Sequence, residues 1–139
     1  MKSRDEIKQI AIQVITDEKK AVENLCSHIN DAFVEAVETL FSTTGRVVVT
    51  GIGKSANIAT KIVSTMNSTG TPALFLHAAD AIHGDLGMVR PDDVVICISK
   101  SGNTPEIKVL VPLIKNFGNK LIAIVGNCDS FLAHEADIV

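Results

Sequence analysis

The chain of 139 residues has few aromatic residues and no excess of positive charge. It contains no tryptophan, no tyrosine and five phenylalanines, so we expect no stacking platform for single-stranded nucleic acid. Its formal net charge is −3, which disfavours general attraction to nucleic acids and anionic membranes. We therefore predict no nucleic-acid partner, and any anionic ligand must be held by a local site.

Long apolar runs and a cysteine framework are also missing. No apolar stretch approaches the roughly 18 residues that span a bilayer, and the charged residues 1–6 do not resemble a signal peptide. Cys26, Cys97 and Cys128 are widely spaced and form no Cys-x-x-Cys pair, which disfavours disulfides and zinc clusters. Cys97 lies in an apolar run and is expected in the core. These features predict a cytoplasmic protein without a membrane partner.

The first third of the chain has helical spacing. Its apolar positions lie mostly three or four residues apart: Ile7, Ile10, Val14, Val22, Leu25, Ile29, Phe33, Val37 and Leu40. One helix over residues 4–42 would be about 55 Å long, too long for a small domain. Asn30 and Asp31 can cap a second helix, so we predict two helices that meet near residues 28–31. The apolar stripe could cover a sheet or pack against another subunit.

From residue 46 onward, short apolar runs alternate with helical segments. Four runs are present, at residues 46–50, 73–76, 94–98 and 121–125, and residues 137–139 resemble the start of a fifth. Continuously apolar runs between amphipathic helices predict a parallel sheet covered on both faces. We therefore predict an α/β fold in which helices cover both faces of a parallel sheet, preceded by the N-terminal helices.

The length fits a single domain over residues 1–139. We assign residues 1–42 to the N-terminal helices and residues 43–139 to the α/β core. The chain stops where a fifth strand would begin, without the pairing that stabilises a strand. We therefore expect the core to be incomplete and the natural protein to continue past Val139.

The first apolar run leads into a glycine-rich loop, Gly-Ile-Gly-Lys-Ser-Ala at residues 51–56. A Walker A loop would need a glycine at the position of Val48. A dinucleotide-binding loop would need an acidic residue after the second strand, where residues 76–78 are Leu-His-Ala. A small phosphate or sugar site served by Lys54 and Ser55 remains, as does a simple tight turn.

The third run leads into a loop rich in hydroxyl and amide groups, Ser-Lys-Ser-Gly-Asn-Thr at residues 99–104. Gly102 lets the loop fold around a ligand, and Thr104 before Pro105 and Glu106 is a typical helix start. Hydroxyls and free backbone N–H groups can hold a phosphate without much positive charge. Ligands of parallel sheets bind beyond the carboxyl ends of the strands, so the two loops together predict a phosphate site.

The second loop resembles the phosphosugar loop of the sugar isomerase (SIS) domain, Ser-x-Ser-Gly-x-Thr. Further segments are similar to the D-arabinose-5-phosphate isomerase branch of that family: Val-Val-Val-Thr-Gly-Ile-Gly-Lys-Ser at 47–55, Ser-Thr-Gly-Thr-Pro at 68–72, Ala-Ile-His-Gly-Asp-Leu-Gly-Met-Val at 81–89 and Pro-x-Asp-Val-Val at 91–95. The resemblance extends from the first helix to the last residue.

This resemblance implies interconversion of D-arabinose 5-phosphate and D-ribulose 5-phosphate, at the entry to 3-deoxy-D-manno-octulosonate in lipopolysaccharide biosynthesis. It implies a flavodoxin-like three-layer αβα sandwich with a five-stranded parallel sheet. It also implies a homotetramer, no required cofactor, and catalytic roles for Lys54, His83 and Glu106. The implied substrate contacts are Gly53, Ser55, Gly70, Thr71, His83, Ser99, Ser101, Gly102, Asn103 and Thr104. His77 matches a histidine that contacts zinc or another divalent metal in some relatives.

The chain also departs from the family pattern. Family enzymes have a further catalytic glutamate and a histidine beyond the point where these residues end, and many have CBS regulatory modules, which residues 1–139 lack. Glu106 could instead only stabilise its helix by interacting with the helix dipole, and His83 could cap a loop. Lys54 could be a solvated charge and His77 a structural residue. The alternative functions are a non-catalytic sugar-phosphate-binding regulatory domain, an isomerase of another phosphosugar, and, third, a nucleotide-binding module.

Overall fold

The computed structural model describes residues 2–139, which form two compact units, one ending at Val34 and the other running from Glu35 to Val139. The first unit is built around α1 (Arg4–Asn24). Ser3 and Glu6 form a capping box at its start: the Ser3 Oγ accepts the Glu6 N–H, and the Glu6 carboxylate accepts the Ser3 N–H. These exchanged bonds fix the point where the helix begins.

The predicted break in the N-terminal helical region is confirmed. After α1, a 3-10 turn (Leu25–His28) precedes α2 (Asp31–Ser42), and the Asn30 Oδ1 accepts the Phe33 N–H at 3.1 Å. Neither helix has a buried residue, so the apolar stripe of α1 is exposed. Among residues 2–139, the helices all fall short of the combined length and apolarity needed to cross a bilayer.

The second unit is centred on a parallel sheet, as the apolar runs predict. Its strands are β1 (Val47–Gly51), β2 (Ala73–His77), β3 (Val94–Ser99) and β4 (Lys120–Val125). They lie in the order β2-β1-β3-β4 and all pair in parallel. The central strands β1 and β3 are buried along their whole length, which explains why their sequences are continuously apolar.

Helices cover both faces of this sheet and confirm the three-layer α/β architecture. They are α3 (Lys54–Ser68), α4 (Ala78–Ala81), α5 (Pro105–Asn116) and α6 (Phe131–Glu135), with a 3-10 turn at Asp85–Met88. Helix α3 packs on β1 and β2 through Ala56 and Ala59. The opposite face forms the main core with α4, α5 and α6, where Cys97 of β3 is fully buried as predicted. Burial raises the pKa of the Cys97 thiol to about 12.

Within residues 2–139 the sheet has four strands, not the predicted five. The expected fifth strand is reduced to a single parallel bridge between Ile138 and β4. The Ala123 N–H donates to the Ile138 carbonyl at 2.8 Å, but the Leu121 N–H donates to the Asp137 side chain, also at 2.8 Å. The Asp137 carboxylate thus accepts the Leu121 N–H, which the backbone carbonyl of a paired strand would otherwise accept.

A polar network stabilises the end of the sheet at which the four strands begin, here called the amino edge. The Asp93 carboxylate, 2% exposed, lies 2.7 Å from the Arg46 Nη2 and also accepts the backbone N–H groups of Arg46 and Arg90, at 2.8 and 2.9 Å. Burial alone would raise the pKa of this carboxyl, but these hydrogen bonds and the Arg46 charge lower it below its usual value. Asn119 donates to the carbonyls of Arg90 and Asp93, so the network ties β1, β3 and β4 together.

Candidate phosphate-binding site

The two predicted loops both lie at the end of the sheet where the strands finish, here called the carboxyl edge. Strands β1 and β3 are neighbours, with Gly51 opposite Ile98. After β1 the chain crosses to β2 on one side, and after β3 it crosses to β4 on the other. Open α/β sheets bind ligands at such a topological switch point, outside the carboxyl ends of the strands. The loops after Gly51 and Ser99 therefore flank the expected ligand crevice.

The loop after β1 brings the start of α3 close to the sheet. A Cβ at Gly51 would lie 3.1 Å from both the Ile98 carbonyl oxygen and the Ser55 Cβ, so glycine permits this approach. Gly53 has a φ of 57° at the N-cap position, and no side chain caps α3. Lys54 is exposed and takes part in none of the ion pairs formed within residues 2–139. The loop thus offers a free ammonium group, whereas the Ser55 and Ala56 N–H groups already donate to the Ile52 and Gly53 carbonyls.

The loop Ser99–Thr104, here called the serine turn, carries three hydroxyl groups with hydrogens free to donate. The Ser99 Oγ accepts the Gly102 N–H at 3.1 Å, and the Ser101 Oγ accepts the Asn103 N–H at 3.4 Å. Both hydroxyls act there as acceptors only, so their hydrogens remain available. The Thr104 Oγ1 is buried and has no hydrogen-bond partner. These hydroxyls can converge on an anionic ligand.

Thr104 takes the predicted position at the start of α5 but does not cap the helix with its side chain. It is the N-cap residue, with Pro105 following at the first helical position, yet its hydroxyl makes no capping hydrogen bond. The N–H groups of the first turn, including those of Glu106 and Ile107, therefore lack a side-chain cap. An anion beyond the serine turn would meet these groups and the positive end of the helix dipole.

Asn103, predicted to contact the substrate, has an amide that is hydrogen-bonded within the protein. Its Oδ1 accepts the Phe131 N–H at 3.1 Å, and its Nδ2 donates to the Ser101 carbonyl at 3.0 Å. One amide hydrogen and one oxygen lone pair are not used by these two bonds, so the substrate contact stays a prediction. The two bonds connect the serine turn to the start of α6.

Sequence reasoning missed the segment that supports the serine turn, the connection from β4 to α6. The Gly126 N–H donates to the Lys100 carbonyl, and the Leu132 N–H donates to the Gly102 carbonyl, both at 3.0 Å. Ser130 is fully buried, and a Cβ at Gly102 would collide with its hydroxyl. The one signal in the sequence is that serine before a short helix is a typical N-cap, which Ser130 is.

His77 lies at the same edge, but too few other metal-ligating side chains among the residues described lie near it to form a metal site. It ends β2 opposite Gly51, and its buried Nδ1 has no hydrogen-bond partner, with the Asp80 Oδ2 at 3.6 Å. Zinc usually takes three or four protein ligands. Across residues 2–139 there is no group of three histidine, cysteine or acidic residues able to hold a metal. These residues by themselves do not fit the predicted zinc contact.

Glu106 and His83, both predicted to be catalytic, come from elements at this edge. Glu106 lies in the first turn of α5, two residues after the serine turn, and is half-buried. His83 is exposed just after α4, a short helix that packs on α5. Neither side chain forms an ion pair in the part of the chain that the structure describes. Both are free to meet a ligand.

Gly70 and Thr71, predicted to contact the substrate, lie at the other edge of the sheet. They sit between α3 and β2, just before Ala73, which pairs with Val47 at the amino end of β1. Five-residue strands separate the two edges by about 16 Å at roughly 3.3 Å per residue. Within one chain, the fold does not bring these two residues to the serine turn.

Comparison with known proteins agrees with this architecture. The family described as SIS domain matches residues 40–139. Arabinose 5-phosphate isomerase KdsD of Pseudomonas aeruginosa is 50% identical over 121 residues, which cover 87% of this chain and 37% of that protein. Arabinose 5-phosphate isomerase KpsF of Escherichia coli O6:H1 is 44% identical over 128 residues, which cover 91% and 39%. The chain thus spans less than two fifths of the length of these relatives.

A solved structure extends the likeness to three dimensions. The Escherichia coli CFT073 protein c3406, in complex with arabinose 5-phosphate, matches with a TM-score of 0.93 and 41% identity, over 99% of this chain and 73% of that chain. The resemblance first indicated by the serine turn is therefore confirmed across the sheet and its helices. This chain belongs to the SIS domain family.

Proposed function

We propose that these residues bind and isomerise a phosphosugar, interconverting D-arabinose 5-phosphate and D-ribulose 5-phosphate. The main supporting observation is the serine turn, whose three hydroxyl hydrogens have no acceptor within residues 2–139, beside the uncapped start of α5. The names of the similar isomerases, and the sugar phosphate bound in the similar solved structure, support the choice of sugar. The product would enter 3-deoxy-D-manno-octulosonate synthesis for lipopolysaccharide.

The phosphate would be held mainly by neutral donors. Ser99, Ser101 and Thr104 donate O–H groups, and the first turn of α5 adds N–H groups and a favourable dipole. Ser55 supplies a further hydroxyl from the start of α3. Hydrogen bonds to a charged acceptor are roughly twice as strong as neutral ones, so this set can retain a dianion while Lys54 remains available for chemistry.

The reaction is a proton transfer between adjacent carbons. Once the sugar ring is open, a base removes the proton from C2, and the electron pair shifts to the aldehyde oxygen to form an enediolate. Return of that proton at C1, with transfer of the O2 proton to O1, gives the ketose. Lys54 stabilises the enediolate charge, Glu106 or the family's further glutamate moves the proton, and His83 assists ring opening.

The proposed assembly is a homo-oligomer, a tetramer by family resemblance, in the cytoplasm. The exposed apolar side chains of α1, such as Ile7, Ile12 and Ile15, supply a surface that a second subunit could cover. Gly70 and Thr71 could reach a phosphosugar only if another subunit presents them, because they lie at the opposite edge of the sheet from the serine turn. A divalent-metal contact at His77 would likewise need ligands beyond residues 2–139.

The decisive experiment separates binding from catalysis. We expect the wild-type chain to bind D-arabinose 5-phosphate and to exchange its C2 proton with deuterated water, as followed by NMR. Lys54→Ala should bind with little loss but exchange and isomerise at least about 100-fold more slowly. Lys120→Ala, which removes an exposed lysine from the opposite edge, is the matched control and should react normally. Equal rates in Lys54→Ala and wild type would remove Lys54 from the mechanism.

Two other outcomes identify the alternatives. Binding without exchange would favour a non-catalytic sugar-phosphate-binding regulatory domain. Stronger competition by a six-carbon phosphosugar would favour an isomerase of another substrate.

A further inference from the structure

We propose that Asn103 and Ser130 are positioning residues that hold the serine turn in its phosphate-binding conformation. Both act by joining that turn to residues 126–132, the connection between β4 and the first residues of α6. The inference rests on the proposed function, because it concerns how the protein binds the phosphate group of the substrate. It assigns a binding role to a segment that does not itself need to touch the ligand.

Asn103 bridges two stretches of backbone. Its Oδ1 accepts the Phe131 N–H at 3.1 Å, across 28 residues of sequence, while its Nδ2 donates to the Ser101 carbonyl at 3.0 Å. Its own N–H points to the Ser101 Oγ at 3.4 Å. The Ser101 hydroxyl therefore receives a hydrogen from within the turn, which leaves its own hydrogen to point outward. Loss of the Asn103 side chain would release Ser101 from the α6 segment.

Ser130 fills the space beside the tightest point of the turn. It is fully buried, and its hydroxyl lies so close to Gly102 that a Cβ there would collide with it. Gly102 has a φ of 65°, a conformation that residues with a Cβ rarely adopt. The Leu132 N–H donates to the Gly102 carbonyl at 3.0 Å, and the Ser130 Oγ accepts the Ala133 N–H. The start of α6 and the turn are thus packed and hydrogen-bonded together.

This support matters for binding because all three hydroxyl donors lie in the serine turn. A turn that already has its binding conformation loses little conformational entropy when phosphate arrives. A turn released from its support must become ordered on binding, and its affinity falls. The loss of affinity should be the same for any phosphate ligand, since it comes from weaker contacts to the phosphate group and not from contacts to sugar hydroxyls.

Calorimetric titration with two probes, D-arabinose 5-phosphate and inorganic phosphate, tests the role of Asn103. Asn103→Ala should weaken both by a similar factor, about tenfold. In turnover, KM should rise by about the same factor while kcat changes less. The control is Asn30→Ala: its Oδ1 also accepts a backbone N–H at 3.1 Å, that of Phe33, but at the start of α2. The control should leave both affinities unchanged.

A loss confined to the sugar phosphate would mean that Asn103 contacts the sugar and would overturn the proposal. Unchanged affinities in Asn103→Ala would also overturn it while leaving the proposed function intact. If the wild-type chain binds neither probe, the proposed function itself fails, and the inference fails with it.

A second pair of variants tests Ser130 and keeps the proposal testable if Asn103→Ala does not fold. Gly102→Ala should weaken both probes strongly, because its Cβ collides with the Ser130 hydroxyl. Ser130→Gly alone removes the side chain that packs against the turn, while glycine remains acceptable as the N-cap of α6, and it should weaken both probes by a similar factor. Unchanged affinities in Ser130→Gly would show that Ser130 does not set the turn.

Discussion

The two edges of the sheet use polar residues in opposite ways. At the amino edge, the buried Asp93 carboxylate accepts four hydrogen bonds, three from Arg46 and one from Arg90. At the carboxyl edge, the Thr104 hydroxyl is buried without a partner, and Lys54 forms no ion pair within residues 2–139. Polar groups that bond to one another stabilise the fold, whereas unpaired ones at a switch point are available to a ligand.

The largest effect should follow from breaking the amino edge. Asp93→Ala leaves Arg46 and two backbone N–H groups without their acceptor, so we expect a loss of about 3 kcal/mol in the free energy of unfolding. Urea denaturation measures this loss. The neighbouring exposed Asp92→Ala is the control and should change stability by less than about 0.5 kcal/mol. An Asp93→Ala loss as small as that of the control would contradict the structural role of the network.

The carboxyl edge should show the reverse pattern. Thr104→Val removes a hydroxyl with no partner in the protein, so stability should stay the same or rise slightly. Phosphosugar binding should weaken by about 2 kcal/mol, since a hydrogen bond to a charged group is lost. Calorimetric titration and thermal melting of the same samples measure both quantities.

A control for this prediction lies within β1. Thr50 also has a buried, unpartnered hydroxyl, so Thr50→Val should resemble Thr104→Val in stability. It should leave phosphosugar affinity unchanged. Equal losses of affinity in the two variants would argue against direct contact between Thr104 and phosphate.

The smallest effect concerns pH and should appear at the amino edge. The pKa of Asp93 is lower in the folded state than its usual value, near 3.9 in unfolded chains. Its contribution to stability is therefore complete above the unfolded pKa and is lost as the pH falls through the folded pKa. Denaturation midpoints should decline between about pH 5 and pH 2, less steeply in Asp93→Asn. Identical slopes in variant and wild type would show that this carboxyl is not the group responsible.

Much of the fold could be predicted from the sequence because the relevant signals are local. The buried strands are continuously apolar, as in Val47 to Val49, and end at glycine or serine. Parallel strands bring their carboxyl ends to one edge, so the sequence alone was enough to place the two loops together. The same rule places Gly70 and Thr71, which precede a strand, at the opposite edge, and the family resemblance alone did not reveal this.

The features that could not be predicted depend on contacts between distant parts of the chain. Arg46 and Asp93 are 47 residues apart, and Asn103 meets Phe131 across 28 residues. Nothing near Asn103 distinguishes a side chain that binds a ligand from one that bonds to the backbone. Likewise, an apolar residue such as Ile138 indicates a strand but not whether enough residues follow to form a ladder.

The contact between Asp137 and Leu121 also bears on solubility. Exposed edges of sheets can recruit a strand from another molecule and so begin aggregation, and charged groups at an edge oppose this. Here a carboxylate already occupies the first backbone donor of β4, at 2.8 Å, and places a negative charge where an incoming strand would have to align. The Asp137 side chain therefore opposes the pairing of a foreign strand with β4 at the position of Leu121.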